Sequence, residues 1–522
     1  MRAEVVVVGG GPVGLLIATE LAAYGVDTVV LEAQGAVSER PKATTLHARA
    51  VQCLARRGRL PGAGGGEGSV PAPERASQDP GPVSAGAAPF HFAGMPGLVV
   101  TAPATEPVPI LKCPQADMER HFERQALEAG VRVLRGHRVT GLDEGPDTVV
   151  VTAVGPSGPV RCTARFVVGA DGARSLVRET AGIASDAYPA TVSAIAGRVR
   201  VLGPEAVRPG WHRTPRGWIV AKPAAGGAVH VRALDLTGPP ADRHREPTLD
   251  ELQGTVSRIV GREVRLAEPR WLTRFSDFTR VARTFRSGRF LLAGDAAHVH
   301  FPIGGQGLST GVLDAVNLGW KLALTVRGEA GPGLLDSYDG ERRPAALRVV
   351  DNTRAQLGLM RAAPEADAVT RVLGAVLAAQ GEGGPLADMV SAQDTVYERR
   401  GTGSAALEGT FLPNVVLRTG SGPADLIGLL AQGRPLLLVF SGAGGPASGT
   451  DYEEQARPWA GTVRVVHAEA SAEVPYGAVL VRPDGYVAWA GGGAAGRGAD
   501  PVPDPLAGAL SAYFGERGSG GR

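Results

Sequence analysis

Val5-Val6-Val7-Val8-Gly9-Gly10-Gly11-Pro12-Val13-Gly14 is an apolar run that breaks into a glycine-rich turn. A short β-branched run without alternation predicts a strand buried on both faces, as in a parallel sheet. Pro12 suits the first turn of a helix, where its missing N–H is no loss. Val13, Leu16, Ile17 and Leu21 recur at helical spacing, Gly25 closes the helix, and Thr28 to Leu31 forms the next strand. In Gly9-x-Gly11-x-x-Gly14 each glycine has its own task. Gly9 permits the tight turn, Gly11 lets backbone approach a pyrophosphate, and Gly14 lets the helix pack on the strand. The helix N-terminus then offers free N–H groups to the anion. Glu32, 18 residues beyond Gly14 and followed by Ala33, is placed to accept hydrogen bonds from adenosine ribose hydroxyls. This motif alone does not separate FAD from NAD.

At 522 residues the chain has length for two or three domains, and its 43% hydrophobic and 20% charged residues fit a globular protein. A net charge of +2 gives no reason to expect nucleic acid or an anionic membrane as partner. Only four of the 54 basic residues are lysines (Lys42, Lys112, Lys222 and Lys321). Cys53, Cys113 and Cys162 are far apart and show no metal-ligand spacing, so neither a disulfide framework nor a metal site is expected. Glu4 leads straight into the first strand without an apolar leader, and no run is long enough to span a membrane. The expectation is a cytoplasmic protein.

Further along, residues 62–86 are rich in Gly, Pro and Ala and predict a flexible surface loop or a disordered one. Residues 115–129 predict a helix with Met118, Phe122 and Leu127 apolar, followed by strands at Val131–Leu134, Thr148–Thr152 and Phe166–Val168. Between 187 and 235 apolar and polar residues alternate in short runs, the pattern of an antiparallel sheet. Phe290-Leu291-Leu292-Ala293 returns to the parallel type, a helix runs from near Ser309 to about Val326, and long helices cover 334–380. After about 399, strands at Leu436–Phe440, Val463–Val466 and Ala478–Val481 announce a separate small α/β unit.

Two more segments decide the nucleotide. Val168-Gly169-Ala170-Asp171-Gly172 and Gly294-Asp295, the latter followed by Pro302 and Gly304-Gly305-Gln306-Gly307-Leu308-Ser309, resemble the fingerprints of class A flavoprotein monooxygenases of the para-hydroxybenzoate hydroxylase fold. The resemblance implies non-covalent FAD, with Asp295 on the ribityl hydroxyls and Asp171 near the pyrophosphate. It places Gly294, Pro302, Gly305, Gly307 and Leu308 at the flavin, where a helix N-terminus would stabilise negative charge. Ser309 is a departure, since relatives often carry Asn there. Arg40 and Gln115 match family residues that contact FAD, although a solvated loop arginine and a helix-start polar residue would look the same.

Lys42-Ala43-Thr44-Thr45-Leu46-His47-Ala48-Arg49, Phe90-His91-Phe92-Ala93-Gly94 and Asn352-Thr353-Arg354-Ala355-Gln356 narrow the resemblance to oxygenases of aromatic polyketide antibiotics. These carry a C-terminal thioredoxin-like domain without redox cysteines, and residues 399–522 contain no cysteine. The expected architecture is α/β: a Rossmann-like FAD-binding domain (1–86, 112–182 and 278–398), an antiparallel-sheet substrate domain (87–111 and 183–277) and a thioredoxin-like domain (399–522). The implied reaction is hydroxylation of an angucycline- or anthracycline-like phenol by a flavin C4a-hydroperoxide, with NADPH or NADH and O₂ as co-substrates. Baeyer–Villiger or ring-opening oxidation, inactivation of an antibiotic, and a flavin-binding relic without activity stay open, as does a homodimer. No catalytic residue is identified. His91, Trp211, Trp218 and His230 are candidates for the substrate pocket, with packing or surface exposure as the ordinary alternative for each.

Overall fold

The computed structural model describes residues 1–40, 42–62, 84, 86–203, 207–238, 245–400, 405–441, 449–492 and 506–517. The expectation for the 62–86 segment falls almost wholly outside them. A six-stranded sheet holds the first unit, in the spatial order Arg286–Ser287, Phe290–Leu292, Phe166–Gly169, Val5–Val8, Thr28–Glu32, Arg132–Arg135. All its pairings are parallel except the first. Val5 to Val8 are buried because a helix covers one face of this sheet and a three-stranded antiparallel sheet (Arg138–Glu144, Val149–Gly155 and Gly158–Ala164) shares their core with Leu142, Val149, Val151 and Ala153. The helix Pro12–Ala22 packs on it and is backed in turn by the 21-residue helix Gly307–Arg327. Two glycines let these helices approach: a Cβ on Gly311 would lie 2.6 Å from Val13 Cγ2, and one on Gly319 2.5 Å from Glu20 Cβ.

The helix predicted at 115–129 runs over Gln115–Glu128, but Leu127 is exposed and Ala126 fills the buried position beside Met118 and Phe122. The region 334–380 divides into helices Ser337–Met360 and Pro364–Gln380.

The second unit is a five-stranded antiparallel sheet, ordered Gly210–Thr214, Gly217–Pro223, Val229–Asp235, Ser193–Leu202, Arg265–Ser276. One face is covered by the helix Leu249–Val260, whose Leu252, Val256 and Ile259 pack against Ile195, Ile219, Val231 and Ala233. Thr248 caps that helix through its Oγ1, which accepts from the Glu251 N–H at 3.2 Å. The other face turns toward the first unit.

The third unit is a six-stranded mixed sheet in which Leu436–Ser441 pairs parallel with Arg464–Glu469 and antiparallel with Ala478–Val481. Its core is completed by the far end of the Gly307–Arg327 helix, which contributes Trp320 and Leu324 to a cluster with Leu437, Trp489 and Phe514. No helix among the described residues is long and apolar enough to cross a membrane.

Candidate functional site

Parallel strands that end at one edge bring their following turns together there. Val5–Val8 runs into Gly9, Thr28–Glu32 ends in Glu32, Phe166–Gly169 leads to Asp171, and Phe290–Leu292 leads to Gly294 and Asp295. Gly9 has φ +106°, and a Cβ there would collide with the Ala170 carbonyl. A Cβ on Gly14 would strike the Gly9 carbonyl oxygen, so this glycine sets the closeness of helix to turn. Gly11 differs: its φ is −73° and a Cβ there would meet nothing within 4 Å. Its missing side chain leaves a cradle at the helix N-terminus. Pro12 and Val13 follow, with Val13 Cγ2 wedged 3.3 Å from where a Gly294 Cβ would sit.

Glu32 Oε2 accepts from the Gly10 N–H and Oε1 from the Gln34 N–H, both at 2.6 Å, which fixes the carboxylate beside the glycine turn with Ala33 next to it. Asp171 Oδ2 accepts from the Val177 N–H at 3.3 Å, while its Oδ1 is buried without a partner. Burial raises the Asp171 pKa despite these bonds. The Asp295 side chain is open to solvent, yet protein packs round it densely enough for desolvation to raise its pKa against the fields of His298 and Lys42. Both properties belong to a carboxylate on the floor of a crevice.

Next to it, Ile303–Gly305 forms a short 3₁₀ turn after Pro302, with φ +75° at Gly304 and +63° at Gly305, before the long helix starts at Gly307 and Leu308. The first N–H groups of a helix have no intrahelical partners and face whatever lies beyond the end. Ser309 holds this loop: its Oγ accepts from the His47 N–H at 3.0 Å, and His47 Nε2 lies 2.8 Å from the Gly304 carbonyl oxygen. Burial pushes the His47 pKa down to about 4. The folded state therefore binds fewer protons than the unfolded chain between pH 6.5 and 4, and stability falls as pH drops through that window. From pH 7.5 to 5 His47 alone is expected to remove about 2 kcal/mol. Melting temperatures at the two pH values should differ less for His47→Asn than for the parent; an unchanged difference would refute the assignment.

Gln115 Oε1 accepts from the Ala43 N–H at 3.4 Å, so it lies at the chain entering this loop. Arg40 is exposed and pairs with Glu246 at 3.1 Å.

Asp314, on the helix Gly307–Arg327, is not among the candidates read from the sequence. It is fully buried and gathers the Gly294–Asp295 turn from below. Its Oδ2 accepts from the Gly294 N–H at 3.0 Å and lies 2.6 Å from His298 Nε2; its Oδ1 accepts from Arg342 Nε at 2.9 Å. Burial would raise this carboxyl, but His298 and Arg342 hold it below its ordinary pKa. Arg342 also donates to the Thr310 carbonyl and the Tyr397 hydroxyl.

Beside the loop runs a ladder of rings. His47 meets Phe90 edge-on at 5.0 Å, Phe90 stacks on His91 at 4.7 Å, His91 lies 4.7 Å from Trp211, and Trp211 meets Trp218 at 6.0 Å. Trp218 is a wall residue, buried and donating from Nε1 to the Met360 carbonyl at 2.7 Å. His230 stands apart from this ladder, 5.8 Å from Trp271 on the same sheet face.

These groups fit FAD. The Gly11 cradle and helix N-terminus suit a pyrophosphate, the unpartnered Asp171 oxygen and the Asp295 carboxylate suit hydroxyl donors, and the Gly307 helix start suits an electron-rich ring edge. Gly11→Ala is expected to fold and melt like the parent while binding FAD about 10- to 100-fold more weakly, since it fills the cradle and costs charge-assisted hydrogen bonds. FAD titration by fluorescence quenching would show it; undiminished affinity would move the pyrophosphate elsewhere.

Comparison with known proteins agrees. Residues 2–353 match the family model of the FAD binding domain, and residues 405–516 that of the aromatic-ring hydroxylase C-terminal region. The chain is 34% identical to 12-dehydrotetracycline 5-monooxygenase/anhydrotetracycline 6-monooxygenase of Streptomyces rimosus subsp. rimosus, over 99% of each chain. It is 36% identical to dialkyldecalin synthase of Streptomyces rugosporus, over 94% of this chain and 96% of that one. The crystal structure of CabE, an aromatic hydroxylase from angucycline biosynthesis, superposes with a TM-score of 0.83 at 33% identity, over 99% of this chain and all of that one. The chain belongs to the FAD-dependent aromatic-ring hydroxylases, in the group that holds the polyketide antibiotic oxygenases. It is an FAD-dependent monooxygenase.

Proposed function

We propose that the enzyme hydroxylates a polycyclic aromatic polyketide in the cytoplasm, with NADPH or NADH as reductant. The observation that carries this reading is the ladder of rings from His47 to Trp218 beside the Pro302–Leu308 loop, at the carboxyl edge that gathers the glycine cradle, Asp171 and Asp295. In this reading the domains divide at the boundaries set out from the sequence. Gly9, Gly11, Pro12, Val13 and Gly14 receive the pyrophosphate, Glu32 with Ala33 the adenosine ribose, Asp171 and Asp295 the hydroxyls between, and Gly294, Pro302, Gly305, Gly307 and Leu308 the ring. Arg40 and Gln115 border the entrance.

FAD, when bound and reduced, supplies the activation of O₂. The chain itself supplies position and a dry surface. Phe90, His91 and Trp211, each partly exposed, offer ring surface to a substrate, while buried His47 supports Phe90 edge-on and Phe301 packs 6.1 Å from Phe275. Burial holds His91 at a pKa of about 4, so its imidazole is neutral near pH 7 and can exchange a hydrogen bond with a phenol without adding charge.

The test is NADPH oxidation and O₂ uptake by the FAD-loaded protein with angucyclinone- and anthracyclinone-like phenols, products being weighed by mass spectrometry. Stimulated oxidation with gain of one oxygen atom supports the reading, and product structure separates hydroxylation from Baeyer–Villiger insertion. The likeness to a synthase favours a second reading, in which the flavoprotein transforms its substrate without net oxidation. A product of unchanged mass would select it.

A further inference from the structure

The face of the antiparallel sheet turned toward the first unit can be resolved into rows from its strand register. The row nearest the Pro302–Leu308 loop is Trp218, Leu234, Ala194 and Phe275, and it packs with Phe301 and Ile303. Two residues outward along the strands, about 7 Å, the row is Val220, Arg232, Ala196 and Thr273. Two residues further it is Lys222, His230, Arg198 and Trp271. Apart from Arg213 at the sheet edge, which pairs with Trp218 in register and with Asp367 at 2.5 Å, the surface passes from apolar to cationic, and every charged side chain on these three rows is a base. The facing wall is the same. Lys112, on the strand Ile110–Lys112, donates to Thr45 Oγ1 at 2.9 Å and holds its Nζ 5.5 Å from the Phe90 ring centre.

The two walls are close enough for their charges to be felt between them. Lys112 and Arg232 both act on His91, Lys222 acts on Lys112, and Lys222, Arg198 and Arg232 act on His230. Desolvation lowers the pKa of Arg232, and of Lys112 to about 8, although both side chains remain open to solvent. Among the described residues none of Arg232, Lys112 and Lys222 forms an ion pair with an acid. Grouped, partly desolvated like charges repel, and a fold keeps such a group where an anion completes it.

We propose that the substrate is an aromatic acid, its anion (a carboxylate or an ionised phenol or enol) seated at Arg232 between Lys112 and Lys222, and its rings extending from the Val220–Arg232–Ala196 row over Leu234, Ala194 and Phe275 toward the Pro302–Leu308 loop. The word substrate rests on the monooxygenase reading; the anion site does not. The position of Arg232 one row outward sets the acid group about 7 Å from the apolar floor, so recognition of charge and the site of reaction are separated along the sheet.

The test uses FAD-loaded protein and matched two- to four-ring aromatic carboxylic acids and phenols, each with its neutral carboxamide or methyl ether, titrated by calorimetry without turnover. At least one acid should bind tenfold or more tightly than its neutral partner, with the ratio falling as NaCl is raised. Carboxylic acids and phenols form separate arms and identify the anion. Arg232→Gln should remove the preference while retaining FAD content and melting temperature; Arg232→Lys should restore part of it. Equal binding of every acid and its neutral partner, absence of binding by all of them, or a variant that raises KM for NADPH but leaves the acid preference intact overturns the proposal. Failure of NADPH-dependent oxidation alone would strike the monooxygenase reading and leave this measurement standing.

Discussion

An Arg482→Met enzyme is expected to lose about 3–5 kcal/mol of stability and to lose more of it as pH rises. Arg482 is fully buried between two carboxylates, donating to Glu341 at 2.8 and 2.7 Å and to Asp484 at 3.0 and 2.6 Å. Lys321 Nζ lies 2.8 Å from Glu341 Oε2, and Asn317 and Trp320 donate to the same carboxylates. Burial would raise Glu341, but Arg482 and Lys321 hold it at about 2. In the parent this depressed pKa contributes stability that is present above the ordinary carboxylate value of 4.5 and lost as pH falls through about 2. Removing Arg482 leaves one negative charge without a partner in the interior, a penalty relieved only when a carboxyl takes up a proton. The melting-temperature gap between variant and parent should therefore widen from pH 5 to pH 8. Adding Glu341→Gln should narrow it at pH 8. A gap that is small and flat with pH would show that the cluster carries little net charge energy.

Asp314→Ala should cost a similar amount and, in addition, the cofactor. The substitution frees the Gly294 N–H and leaves the Arg342 guanidinium buried beside His298 without its carboxylate. Since Gly294, at φ +58°, sets the direction of Asp295, the turn loses its anchor from below. FAD affinity is expected to fall by at least about tenfold, which corresponds to 1.4 kcal/mol, alongside about 3–5 kcal/mol of stability. Flavin retained on gel filtration at parental stoichiometry would mean that Asp314 shapes the interior without governing the crevice.

The parallel-sheet edge was legible because its signals are local: each strand and the glycine or aspartate after it lie within a few residues of one another. The strands and the helix after Gly307 fall within a residue or two of the expected bounds for the same reason. What the sequence hid is what needs register. Lys112, Lys222 and Arg232 sit on three different strands and look like scattered surface bases until cross-strand pairing puts Lys222 and Arg232 on one sheet face and packing brings the strand of Lys112 within reach of Lys222. Asp314 was equally hidden, since its partner Arg342 comes from a later helix and is itself held by Tyr397 beyond that helix. On the helix Gln115–Glu128 the apolar residues do not all share a face: Ala126 is buried beside Met118 and Phe122, and Leu127 points outward.

The helix Gly307–Arg327 begins at the cofactor loop and ends inside the core of the third unit, and the partner of its Lys321, Glu341 on the helix Ser337–Met360, awaits Arg482, made 141 positions later. At ribosomal speeds of roughly 5–20 residues per second that interval lasts about 7–28 s. For that time the nascent flavin-binding half carries an exposed tryptophan and an incomplete charge cluster, so a chain halted near residue 400 would be a client for chaperones and proteases, however complete its nucleotide crevice.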